Sequence, residues 1–136
     1  MKVLAFGEIM DGGISVFSSV AKVDADLLII SFGGSIRIDN PYRYLEQYLL
    51  ELGQLLLQQE KIGRIEFDFK ELDFCNSNGF YIIMDITEMI IDAVPGSITV
   101  KRLKGDDWQQ ETLPILLNVD EPEIETRTTF EEFADI

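Results

Sequence analysis

The chain has 136 residues, 46% of them hydrophobic, and 25 Asp and Glu against 11 Lys and Arg give a formal net charge of −14. That is enough for one domain with an ordinary core, its apolar share excludes wholesale disorder, and its charge repels nucleic-acid phosphates and anionic lipid surfaces. No histidine is present and Cys75 is the single cysteine, which removes His-based metal sites, imidazole bases, intrachain disulfides and cysteine-rich zinc sites.

Lys2–Phe6 and Ile14–Phe17, either side of Asp11-Gly12-Gly13, read as short strands. Asp26–Ser31 reads as a better strand, with Phe32-Gly33-Gly34 bending or bulging it before Ser35–Ile38. Asn40-Pro41 signals a helix start, with Asn40 as cap and Pro41 in the first helical position. Leu45, Tyr48, Leu49, Leu52, Leu55 and Leu56 then form an apolar stripe ending near Gly63, the pattern of core packing.

The stretch Arg64 to Ile91 organises the rest. Ile65, Phe67 and Phe69 alternate with Glu66, Asp68 and Lys70 as in a half-buried strand. Asn76-Ser77-Asn78-Gly79 breaks that period with turn and cap residues, and Ile82, Ile83, Ile86, Met89 and Ile90 resume at helical spacing until Pro95-Gly96. Ser77 thus stands where free N–H groups and the positive end of a helix dipole meet, either as a plain helix cap or as a chemical or regulatory position.

Ser97–Val100 reads as a further strand, and Gly105-Asp106-Asp107 opens a third helix in which Asp107 and Gln110 resemble a capping box and Pro114 forces a kink or end. From Val119 onward acids dominate, answered by Arg127 alone, which suggests an edge strand near Glu123–Thr128 or an acidic tail. The expected organisation is therefore a small α/β domain over 1–118, a mixed sheet with about three packing helices, and an acidic extension or edge strand over 119–136.

Chemistry is sparse in this pattern. Cys75-Asn76-Ser77-Asn78-Gly79 has the layout of a nucleophile elbow without its first glycine, but a serine nucleophile needs a base and the chain has no histidine. Lys70 is the one alternative base nearby in sequence, which leaves a small serine hydrolase as the remote reading. Gly12-Gly13 and Gly33-Gly34 lack the phosphate-binding fingerprints, Asp106, Asp107 and Glu111 match no EF-hand loop, and Trp108 reads as a packing or interface residue. No metal or cofactor is expected. The chain shows no signal-peptide pattern and no apolar run near ~20 residues, so the expected setting is cytoplasmic, without membrane attachment. The negative charge either serves solubility or speeds encounter with a basic partner.

At these residues the chain resembles the STAS domain family, the anti-sigma-factor antagonists of bacteria. That family's strand ends in D-L-S-x-V-x-F-x-D-S-S-G before an apolar helix, and Asp68-Phe-Lys-Glu-Leu-Asp-Phe-Cys-Asn-Ser-Asn-Gly79 overlies it without a gap. Phe74 takes the place of the buried aromatic, Asn76 of the second aspartate, Ser77 of the phosphorylated serine, Asn78 of the second serine and Gly79 of the glycine. Arg37 stands in the upstream turn where the family usually has an acid. The resemblance implies a non-enzymatic switch, with Ser77 phosphorylated by a serine kinase of anti-sigma type and reset by a metal-dependent phosphatase. The partner would rest on Arg37, Asn76, Asn78, Gly79 and Tyr81. A constitutive adaptor in which Ser77 only caps a helix is the alternative.

Overall fold

The alternation Ile65, Phe67, Phe69 against Glu66, Asp68, Lys70 produces the long strand β4 (Arg64–Cys75), with the first three side chains fully buried. The computed structural model describes residues 1–58 and 61–134. Around β4 lie β1 (Lys2–Asp11), β2 (Ile14–Asp24), β3 (Leu27–Ile36), α1 (Tyr42–Gln58), α2 (Ser77–Ala93), β5 (Ile98–Leu103), α3 (Asp107–Leu116), α4 (Pro122–Arg127) and β6 (Thr128–Phe133). The six strands form one sheet in chain order: β1, β2 and β3 are antiparallel, and β3 to β6 run parallel.

The register puts one residue of every strand into a continuous apolar row. Ala5, Ala21, Ile30, Phe67, Val100 and Phe130 lie opposite one another in turn. Because side chains alternate across a sheet, the residues two places along each strand share that face. Leu45, Tyr48 and Leu52 of α1 and Ile82, Ile83, Ile86 and Ile90 of α2 complete this core. The opposite face carries Val20, Ser31, Asp68, Lys101 and Glu131 in one row. There Lys101 reaches Glu66 at 3.4 Å, and Lys70 reaches Asp68 at 3.8 Å. The result is a mixed α/β domain with helices packed on one face of the sheet, consistent with the STAS-like architecture that the resemblance implies.

Several boundaries differ from the sequence reading. β1 and β2 run well past Phe6 and Phe17 as an antiparallel pair, and β2, paired on both sides, takes in the serines that interrupt its apolar pattern. Ser19 is buried with its hydroxyl 2.8 Å from that of Tyr48. β3 does not stop at Ser31. It carries its bulge within the strand, where Gly34 adopts φ +89 and a Cβ would lie 2.1 Å from the Val16 carbonyl oxygen. α1 begins one residue later than expected: the Pro41 carbonyl accepts from Leu45 N–H at 3.1 Å, so Pro41 holds the cap position assigned to Asn40.

In α3 the cap is Asp106, not Asp107, and its side chain accepts from Gln109 N–H at 3.0 Å. Gln109 sets that register. It is fully buried, accepts from Leu103 N–H at 2.7 Å and donates to the carbonyls of Phe69 and Leu72 at 2.8 and 3.2 Å. Pro114 sits inside α3 without ending it at once, and the Gln110 carbonyl it leaves without an N–H accepts from Arg102 at 3.5 Å. The acidic end holds an edge strand, one of its two expected forms, but later in the chain than Glu123–Thr128. It forms the short α4 and then β6, where Arg102 meets Glu132 at 2.8 Å and Lys70 lies 4.4 Å from the centre of the Phe133 ring. The sheet therefore runs across residue 118.

Candidate functional site

Strand β4 delivers the chain to the site through a fixed joint. Ile36 and Cys75 are the last pair between β3 and β4, and Asn76 N–H donates to the Ile36 carbonyl at 2.9 Å. The chain then turns into α2, and Asn76 is the cap. Its Oδ1 accepts from Gly79 N–H at 2.9 Å, while its Nδ2 donates to the Ile38 carbonyl at 3.0 Å. Phe80 N–H donates to the Asn76 carbonyl at 2.9 Å and closes the first turn.

Ser77 is thus the first helical residue and does not cap α2. It is exposed, and its hydroxyl has no hydrogen-bond partner among the described residues. Of the four N–H groups that a helix start leaves unpaired, those of Asn76 and Gly79 are satisfied as above, which leaves those of Ser77 and Asn78 pointing outward along the dipole. This end of α2 can accept negative charge.

The segment after β3 is stitched alongside. Asn78 Nδ2 donates to the Asp39 carbonyl at 2.6 Å, a second amide bond from the same turn. Arg37 is exposed, and its guanidinium lies 4.3 Å from the centre of the Phe74 ring. Phe74, expected to be the buried aromatic, is instead 39% exposed; a cation stacked on its face takes the place of core packing. Tyr81, one turn along α2 from Ser77, is 53% exposed. Asn76, Asn78 and Tyr81 therefore lie around Ser77, and Arg37 is stacked on Phe74, three residues before it.

Gly79 is the exception among the expected contact residues. It is buried, and a Cβ there would lie 2.8 Å from Cβ of both Cys75 and Ile36. Its absent side chain lets α2 sit close on the ends of β3 and β4, so it supports the surface from below.

A residue read from the sequence as a packing or interface position also converges here. Trp108 of α3 joins Cys75, Asn76, Ser77, Phe80 and Tyr81 around a shallow depression of about 240 Å³ beside the serine. Tyr42, 37% exposed at the start of α1, donates to Asp85 Oδ2 at 2.5 Å. Burial and that carboxylate push the Tyr42 hydroxyl up to about 12, so it stays a neutral donor. Burial likewise pushes the Cys75 thiol up to about 11, which leaves it an inert packing residue at neutral pH. Lys70 is engaged with Asp68 and Phe133 on the open sheet face and is no base for Ser77. Among the described residues no cluster of acids and cysteine could hold a metal ion, and no helix is long and apolar enough to cross a membrane.

What fold and site define together is a mixed α/β domain that presents a serine on the first turn of a buried-face helix. No family model matches the chain, and no curated protein matches it either, so the STAS relationship stands as a resemblance. Among solved structures, the chain is similar to apo-SiaC from Pseudomonas aeruginosa, with a TM-score of 0.54 and 17% identity over 100% of both chains. At that identity the likeness is one of fold.

Proposed function

We propose that this protein is a non-enzymatic regulatory switch in which phosphorylation of Ser77 controls binding of a protein partner. The reading rests on one observation above all: Asn76 caps α2, which leaves the exposed Ser77 hydroxyl unspent at a helix start that welcomes anions. The partner is a serine kinase of anti-sigma type, and a metal-dependent phosphatase resets the switch. Both act in the cytoplasm.

The unmodified contact face comprises Arg37, Asn76, Asn78 and Tyr81, with Phe74 and Trp108 at its edges and Gly79 beneath it. Exposed aromatic side chains next to polar groups are the composition of a protein-binding surface. A phosphate on Ser77 adds about −1.5 to −2 charges. The fold tolerates this because the charge sits on the dipole's positive end and beside two unpaired N–H groups. A partner packed over Tyr81 and Ser77 does not, because it must strip water from that charge.

The aromatic patch supports a second reading, a constitutive adaptor whose partner binds whatever the state of Ser77. Intact mass and peptide mapping of protein isolated from its native source separate the two. A single phosphate on Ser77, removed by a metal-dependent phosphatase, is the expected result. Ser77 unmodified under every growth condition leaves the adaptor.

A further inference from the structure

A second surface lies on the other half of α2. Met84 and Ile91 of α2, Ile115 of α3 and Ile124 of α4 line an open groove of about 270 Å³. Ile115 is 70% exposed on its wall, among the most exposed of the large apolar side chains. Along the helix, Glu88 is eleven residues beyond Ser77, roughly 16 Å at the helical rise, so this groove is separate from the switch turn and does not depend on it.

Its charge is one-sided. Glu88 and Asp92 stand on the α2 rim, and Asp120, Glu121, Glu123 and Glu125, which flank the groove residue Ile124 in the chain, are exposed. Neither α2 nor α3 contains a lysine or arginine. The single cation of α4, Arg127, is turned inward: it donates from Nε to the Gly96 carbonyl at 2.9 Å and from its guanidinium to the Val94 carbonyl. The cavity is also smaller than the roughly 300–1,000 Å³ of sites that enclose a small molecule. It suits one or two branched apolar side chains.

We propose that this groove docks a basic amphipathic segment of a partner protein, its apolar residues seated between Met84, Ile91 and Ile115 and its lysines or arginines paired with Glu88, Asp92 and the α4 acids. An apolar floor supplies affinity, and the unanswered acidic rim selects the sign of the partner. A second copy of this chain is disfavoured as occupant, since its own rim would bring like charges together.

A displayed random-peptide library selected on the whole protein tests this. Enriched peptides are expected to combine apolar residues at helical spacing with flanking lysine or arginine. Synthetic copies should bind the Ile115→Ser protein, and separately the Glu88→Lys/Asp92→Lys protein, at least about tenfold more weakly than wild type, with affinity falling as salt rises. Both variants alter exposed positions and should melt with the wild type. Basic peptides that bind Ile115→Ser undiminished would show attraction to the acidic chain as a whole and overturn the groove. So would enriched peptides that are neutral or acidic, or an Ile115-dependent dimer in sedimentation.

Discussion

Replacing Asn76 by alanine removes two hydrogen bonds from the joint on which the site is built. The first is the cap to Gly79 N–H at 2.9 Å, whose loss costs about 0.5–2 kcal/mol. The second is the donation to the Ile38 carbonyl at 3.0 Å, a part-buried bond that contributes about 0.5–1.5 kcal/mol. Together Asn76→Ala should destabilise by about 1–3.5 kcal/mol, which moves the urea midpoint by roughly 1 M at ordinary slopes. Ser77→Ala loses no hydrogen bond and should stay within about 0.5 kcal/mol of wild type. Asn76→Asp keeps the acceptor but loses the donor and sets a carboxylate against the Ile38 carbonyl, so it should fall between them. Urea denaturation at neutral pH, followed by circular dichroism, gives all three values. If Ser77→Ala cost as much as Asn76→Ala, the hydroxyl would be the cap, and the case for a free phosphoacceptor would collapse.

Other consequences follow from single contacts. Gly79→Ala forces a methyl to 2.8 Å from Cys75 and Ile36 and should cost about 1–3 kcal/mol in thermal or chemical unfolding; a neutral substitution would mean that α2 is free to lift from the sheet. Cys75, its thiol raised to about 11 by burial, should react with a neutral-pH thiol reagent only as fast as the protein opens, and rapid labelling of the native state would contradict its packing role. The hydrogen bond from Arg64, 2.7 Å at its shortest, holds Asp26 below its ordinary value of 3.8. A depressed carboxylate stabilises above its unfolded value and ceases to do so as pH falls through its folded value. The advantage of wild type over Asp26→Asn should therefore be present at neutral pH and shrink below about pH 4; a gap that persists undiminished into acid would rule the ion pair out as its source.

The strand–turn–helix unit was legible because two strict periods meet at a cluster of turn residues. That placed Ser77 within one residue of the helix start. Which of Asn76, Ser77 and Asn78 caps was not legible, since all three can accept. The choice is made by Ile38, distant in sequence, whose carbonyl needs the amide donor that only an asparagine in position 76 offers. The same bond gives a structural reason for Asn76 standing where the STAS pattern has aspartate.

Phe74 misled because the family pattern that made it the buried aromatic cannot foresee that Arg37 will cover its ring. The C-terminal strand was obscured because Glu132 is answered across the sheet by Arg102, and Phe133 by Lys70 and Lys101, not by neighbours in the chain. Tyr42 with Asp85, Trp108 beside Ser77, and Ile115 with Ile124 are assembled only by tertiary packing. Their one local signal is that apolar or aromatic residues stand at positions whose helical neighbours face solvent.

The central claim is that the charge state of Ser77 decides whether a partner stays bound. It is tested most directly by affinity capture from the native host with two baits, the unmodified protein and protein carrying phosphoserine at position 77, each at two salt concentrations. The same partner should be retained by the unmodified bait and lost from the phosphorylated one at both salts, since a desolvated contact is screened little. Equal retention of that partner by both baits would contradict the account.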